Sequence, residues 1–203
     1  MTDRHWNDVY VSKGASERSW TQTSATNALS IVDGLGLHHD DPILDVGAGA
    51  SNFLDELIAR GFSDLTAIDI SATALAEARQ RLGPAAPVRW ITSDVTMWEP
   101  ERRYALWRDR ATFHFLTDVD SQERYLDVAR RAIRADGHWL LSTFALEGPE
   151  TCSGLPVRRW STPELLEFAG DAFKLEISDQ YVHVTPWGAE QPFNIWLLRS
   201  RVA

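Results

Sequence analysis

The residues best placed to do chemistry fall in two groups. In the first, Asp45 is followed by Gly47 and Gly49, Asp69 closes the next apolar run, and Asp94 stands in Ser93-Asp94-Val95 after the third. A backbone that approaches a ligand closely at a helix N-terminus needs glycine, because a Cβ would occupy the ligand's space. A dinucleotide turn would place a third small residue at position 52, where this chain has Asn52, so the G-x-G-x-x-G pattern is not met. The acid roughly twenty residues beyond the turn is where a carboxylate accepts both ribose hydroxyl hydrogens. The second group is Trp107-Arg108-Asp109-Arg110-Ala111-Thr112-Phe113-His114-Phe115-Leu116. His114, with an ordinary pKa of about 6.5, suits taking a proton from a thiol, hydroxyl or amine, and equally suits packing between its two phenylalanines. Arg110 suits a charge-assisted pair with a substrate carboxylate, or a pair with Asp109. Arg158 and Arg159 offer a further cationic face, and His183 alternates with Val182 and Val184 on an apolar run. Cys152 reads as a small loop residue.

These groups need elements to hold them. Residues 43–46 form a short apolar run that breaks into the glycine turn and resumes as Phe53, Leu54, Leu57 and Ile58, a helical stripe ending at Gly61. A strand over 65–70 follows, then Ser71 as N-cap of a helix over 72–82 stopped by Gly83. Further strands are expected over 88–92 and 104–107. A helix starting at Asp120 or Ser121 and closed by Gly137 leads to a strand over 138–145. Residues 146–160 have no period, Ser161-Thr162-Pro163-Glu164 starts a helix, and 173–184 with 193–200 read as an antiparallel hairpin. Strands alternating with helices imply an α/β fold with a mostly parallel sheet, whose ligands bind beyond the carboxyl ends of the strands.

The motifs Ile43-Leu44-Asp45-Val46-Gly47-Ala48-Gly49, Ala67-Ile68-Asp69-Ile70-Ser71 and Ser93-Asp94-Val95, in that order at strand ends, resemble the class I S-adenosylmethionine-dependent methyltransferases. The resemblance covers residues 42–145. It implies an open, mostly parallel, seven-stranded Rossmann-like sheet with helices on both faces and a C-terminal antiparallel hairpin. It also implies one domain over 1–203, comprising a helical lid (1–37), the cofactor core (42–145), a substrate-side insertion (146–162) and the hairpin (173–201). In its terms Asp45, Gly47, Ala48 and Gly49 meet the methionine part of S-adenosylmethionine, Asp69 and Ile70 the ribose, and Asp94 and Val95 the adenine. Tyr10 and Trp20 resemble lid residues that line the methionine end. The segment after the fourth strand resembles two branches: thiopurine methyltransferases, with Asp-Arg-Gly-Ala-Leu, and small protein-lysine methyltransferases, with Asp-Lys-Gly-Thr-Leu-Asp. Asp109-Arg110 fits the first, whereas the final acid of the second falls at His114. The implied reaction moves a methyl group from S-adenosylmethionine to O, S or N of a small anionic or aromatic molecule, leaving S-adenosylhomocysteine. His114 and Asp109 are then the catalytic pair, Arg110, Arg158 and His183 contact substrate, Arg110 also borders the cofactor, and no metal is needed. A protein lysine is the alternative acceptor.

Composition narrows the partners. Twenty Lys+Arg against 29 Asp+Glu give a net charge of −9, which repels nucleic acid and anionic lipid. A hydrophobic fraction of 44% with 24% charged residues is that of a folded domain. One cysteine permits no internal disulfide, and residues 1–10 have no apolar run of a signal peptide, so a cytoplasmic location is expected. Asn52 disfavours a nicotinamide reductase, and the segment after the fourth strand lacks the loop of DNA base methylation. Nine tryptophans against eight phenylalanines and four tyrosines are unusual. More than half fall outside the expected strands, which suggests a flat or apolar acceptor.

Overall fold

The apolar runs of the first half are uninterrupted because they are covered on both sides. In the computed structural model, which describes residues 3–202, β1 (Ile43–Val46) and β2 (Leu65–Asp69) are buried at every position. Helix α1 (Asp3–Ser12) and α2 (Thr26–Gly34) precede them, and α3 (Phe53–Ala59) and α4 (Ala72–Leu82) follow β1 and β2 respectively. The chain continues through β3 (Val88–Thr92), β4 (Tyr104–Arg110), α5 (Val119–Ala132), β5 (Ile133–Phe144), β6 (Thr151–Cys152), β7 (Leu155–Pro156), α6 (Thr162–Ala169), β8 (Phe173–Val184) and β9 (Glu190–Ser200). Seven strands form one sheet in the order β3-β2-β1-β4-β5-β9-β8. Pairing is parallel from β3 to β5, and β9 enters antiparallel between β5 and β8.

One face of the sheet packs Trp107, Trp139 and Trp196 against Tyr125, Trp160 and Leu165 of the α5–α6 side. The other packs Leu106, Leu140 and Leu197 against Leu29 and Val32 of α2 and Phe53 and Leu57 of α3. The helix caps read from the sequence are in place at Ser71, whose side chain accepts from Ala74 N, and at Ser161, which forms a capping box with Glu164.

Several boundaries differ from the sequence reading. β4 runs on to Arg110, beyond 107. α5 starts at Val119 with Asp118 accepting from Ser121 N, so the cap lies two residues earlier than Asp120. Gly137 does not close α5, which ends at Ala132. It lies inside β5, where the register against β4 shifts between Tyr104 and Leu106, and a Cβ there would stand 3.0 Å from the carbonyls of Tyr104 and Arg134. The aperiodic 146–160 stretch contains the small β6–β7 hairpin, turned by Ser153 and Gly154 at φ +51° and +78°. No helix among the described residues is long and apolar enough to cross a membrane.

The tryptophans mostly serve the core. Trp107, Trp139, Trp160 and Trp196 are fully buried and Trp187 is exposed. Trp6 and Trp20 are the ones that reach the main cavity, so the large ring count reflects a thick sheet–helix interface more than a ring-lined pocket.

Candidate active site

The carboxyl ends of β1, β2, β3 and β4 open into a cavity of about 350 Å³, roofed by α1 and by the irregular residues that follow it. That placement follows from the parallel sheet, where consecutive turns share one edge. The turn after β1 holds Gly47 and Gly49 at φ +60° and +51°. A Cβ on Gly47 would lie 1.6 Å from Thr112 Oγ1, and one on Gly49 would lie 2.3 Å from the Tyr10 hydroxyl. Glycine is therefore demanded by neighbouring protein groups and by the left-handed backbone. Gly47 and Ala48 line the cavity, whereas Gly49 lies under Tyr10.

Asp69 lines the same space. Its Oδ2 accepts from Gly49 N at 2.8 Å and its Oδ1 from Ser71 N at 2.7 Å, which ties the first turn to the second. Burial pushes its carboxyl up to about 6 against the pull of those two N–H groups. Ile70, Asp94 and Val95 complete this end, with Asp94 Oδ1 accepting from Thr96 N and Thr96 Oγ1. Asp45 does not reach the cavity. It is fully buried and paired with Arg108 Nη1 at 2.7 Å, and Arg108 lines the cavity in its place. The expected contact of Asp45 with a ligand is thus replaced by a structural ion pair.

The other end is built by the segment after β4. Arg110 lines it, with Nε donating to the Tyr181 hydroxyl at 3.2 Å and Nη1 to Trp20 O at 3.0 Å, and its guanidinium 4.8 Å from the Phe193 ring centre. Its Nη2 is buried without a hydrogen-bond partner. Four arginines border the cavity: Arg18 pairs with Glu77, Arg81 with Asp55 and Arg108 with Asp45. Among the described residues Arg110 alone of these four has no carboxylate partner. Phe115, Trp20 and Cys152 stand beside it. Sequence reasoning missed Arg18 and Cys152 as lining residues. Only their nearness to Trp20, Arg110 and the insertion could have signalled them.

Four other expectations are corrected by geometry. Asp109 is buried beneath the turn, accepting from Thr112 N at 3.0 Å, Phe113 N and the Tyr125 hydroxyl at 2.6 Å. It thereby holds Ala111 at φ +64° and seats Thr112 over Gly47. His114 is fully buried between Phe115 and Phe144, with both ring nitrogens unpartnered, and does not line the cavity. Burial, helped by the nearby Arg110 charge, pushes its imidazole down to about 3, so it is neutral at ordinary pH. Arg158 lies over the Trp160 ring at 3.6 Å and donates to Gln122 Oε1, and Arg159 is bonded to Leu146 O and Glu150, so neither reaches the cavity. His183 donates from Nε2 to Ser19 O at 2.6 Å, fastening the roof instead of facing a ligand.

Tyr10 and Trp20 do meet at the cavity, Trp20 Nε1 donating to the Tyr10 hydroxyl at 3.2 Å. Arg18, itself buried, clamps this roof by donating to Tyr10 O, Lys13 O and both oxygens of Glu77. Residues 1–2 of the expected 1–37 lid lie outside the described residues.

Comparison with known proteins points the same way. Residues 43–137 match the family model described as a methyltransferase domain. A malonyl-(acyl-carrier protein) O-methyltransferase from Anoxybacillus flavithermus is 35% identical over 83 residues, 40% of this chain and 31% of that protein. The chain spans about a third of the length of the first curated relatives it matches. Among solved structures, one concerning the conversion of a disulfide bond into a thioacetal group during echinomycin biosynthesis superposes with a TM-score of 0.76 at 17% identity, covering 98% of this chain and 93% of that one. A Burkholderia thailandensis 1,6-didemethyltoxoflavin-N1-methyltransferase, with its namesake compound and S-adenosylhomocysteine bound, gives 0.68 at 22% identity over 97% and 83% of the two chains. The stretch that matches the family model, residues 43–137, is the stretch whose strand ends build the cavity, and over it the chain is similar to methyltransferase domains.

Proposed function

We propose that this chain transfers a methyl group from S-adenosylmethionine to O, S or N of a small molecule carrying an anionic group on a flat or apolar body. The observation that carries the reading is one continuous cavity that brings Gly47, Asp69 and Asp94 together with Arg110, Trp20 and Phe115. Its size lies in the ordinary range for small-molecule sites, roughly 300–1,000 Å³.

The residues present fit the cofactor. Gly47 lines the cavity with main chain alone, having no side chain to stand between backbone and ligand. Each oxygen of Asp69 accepts one N–H, which leaves lone pairs for two ribose hydroxyls. Asp94 and Val95 are positioned for the polar edge and face of a base. When bound, the cofactor supplies a methyl group on a positively charged sulfur, ready for in-line displacement. The protein's tasks are then orientation and exclusion of water. Trp20, Tyr10 and Phe115 supply the dry walls, and Arg110, aimed by Tyr181, supplies the cation that reads the acceptor. Tyr181 is itself held by Ser142 Oγ at 3.0 Å. Asp109 and His114 enter as supports of the turn after β4.

The deciding test is transfer of labelled methyl from S-adenosylmethionine into separated small-molecule and protein fractions of a cell extract. Label in the small-molecule fraction supports the reading, and label confined to a protein lysine replaces it by the alternative acceptor. With an acceptor in hand, Arg110→Ala raises its KM by about tenfold or more while S-adenosylhomocysteine affinity holds. Loss of cofactor affinity instead moves Arg110 to the cofactor.

A further inference from the structure

Asn is among the best helix N-caps, yet Asn52, at the N-cap position of α3, makes no side-chain bond to its own helix. Its amide reaches away: Nδ2 donates to Gln22 O at 3.2 Å and to Thr23 O at 3.3 Å. One turn further along the same face, Glu56 accepts from Ala25 N at 3.0 Å through Oε1 and from Ser24 Oγ at 3.2 Å through Oε2. The helix that begins at the glycine turn therefore grips four consecutive residues, 22–25, of the strap that roofs the cavity. The strap's other end is held from elsewhere, by His183 on Ser19 O and Arg110 on Trp20 O. The carbonyls of Ser19, Trp20, Gln22 and Thr23 are thus taken by side chains of β8, β4 and the N-cap of α3, with no strand ladder. Such a fastening opens without unfolding the sheet.

We propose that Asn52 and Glu56 are positioning residues that couple occupancy of the glycine turn to the seating of the strap carrying Trp20, so that binding of the cofactor orders the acceptor's roof. The inference rests on the reading of that turn as the cofactor's cradle. Gly47, Ala48 and Asn52 all border the cavity, and only two residues separate Gly49 from Asn52. A ligand that immobilises the turn fixes the first residue of α3, and through Asn52 and Glu56 fixes 22–25. Two residues upstream of Gln22 stands Trp20, whose indole and carbonyl touch Tyr10 and Arg110. The position where a dinucleotide fold has glycine, for tight packing, here carries a two-pronged donor to the roof.

The test is amide hydrogen exchange of the full chain with and without S-adenosylhomocysteine, paired with calorimetry of the same ligand. In the wild type the ligand slows exchange over 18–25. In Asn52→Asp, which keeps the volume and an acceptor for capping but has no donor, ligand still binds, exchange over 18–25 is about tenfold faster, and the ligand-induced slowing there is lost while that at β1 and β2 remains. Glu56→Ala gives the same result from the other prong and serves if Asn52→Asp does not fold. Slowing over 18–25 that survives in either folded variant, or that is absent in a wild type that binds the ligand, overturns the coupling. A wild type that binds no S-adenosylhomocysteine overturns instead the reading of the cradle.

Discussion

Asp69 offers a test in which stability and function move in opposite directions. Its carboxyl is raised from the usual 3.8 to about 6 because burial penalises the charge more than the N–H groups of Gly49 and Ser71 repay it. The folded state therefore holds this proton more tightly than the unfolded chain does. Stability from this group is greatest when the carboxyl is protonated and falls as pH rises through the interval from 3.8 to about 6. At about 1.4 kcal/mol per pKa unit, ionised Asp69 destabilises the fold by roughly 3 kcal/mol at neutral pH, and roughly 2 kcal/mol of that accrues between about pH 4.5 and 7.5. Asp69→Asn removes the charge. Its amide meets the Gly49 N–H donor to donor, a penalty of about 1–3 kcal/mol that does not change with pH. The slope therefore carries the test. In urea unfolding, the stability of the variant relative to wild type should rise by about 2 kcal/mol from pH 4.5 to 7.5, while its affinity for S-adenosylhomocysteine at neutral pH falls about ten- to a hundredfold. A stability difference that stays flat across this range refutes the buried-carboxylate argument, and an unchanged affinity removes Asp69 from the ribose.

Two further outcomes follow from buried charge. Arg108→Ala strands Asp45 without its partner and should lower stability by about 3–5 kcal/mol, a loss that Asp45→Asn in the same chain largely restores, measured by chemical denaturation. Equal loss in single and double variants contradicts the ion pair. His114, lowered from 6.5 to about 3, adds stability that is complete above pH 6.5 and lost as pH falls toward 3, because the unfolded chain takes up a proton the folded ring refuses. His114→Leu should therefore resist acid better than wild type in thermal unfolding at pH 4–5 and retain methyl transfer at neutral pH. Loss of turnover with intact binding restores His114 as a base.

The legible parts of the site are those in which chemistry is local. Gly47, Gly49, Asp69 and Asp94 sit at strand ends within a short reach of chain, and the spacing of apolar runs already aligns those ends on one sheet edge. The capping serines at 71 and 161 are legible for the same reason, since a cap and its helix are neighbours in sequence. The residues after β4 were not legible in this way. Asp109, Arg110 and His114 are consecutive enough to look like one constellation, yet alternation along β4 and the turn that follows it send Asp109 under the turn, Arg110 into the cavity and His114 into an aromatic box. Arg158 and His183 are more distant cases. One is captured by Trp160 and Gln122, the other by Ser19 O, partners 36 and 164 residues away in the two hydrogen bonds.

By itself the sequence determined the alternation of strands and helices, the edge at which ligands would gather and the class of cofactor those acids suit, because each depends on periodicity and on contacts a few residues long. Tertiary structure alone decided which charges stay free. Arg18, Arg81 and Arg108 are neutralised by carboxylates 59, 26 and 63 residues away, and Arg110 is left to the cavity. It also decided that Asn52 belongs to the roof. A side chain's role in a pocket depends on what reaches it across the fold, and pairings at such separations leave no period in the chain.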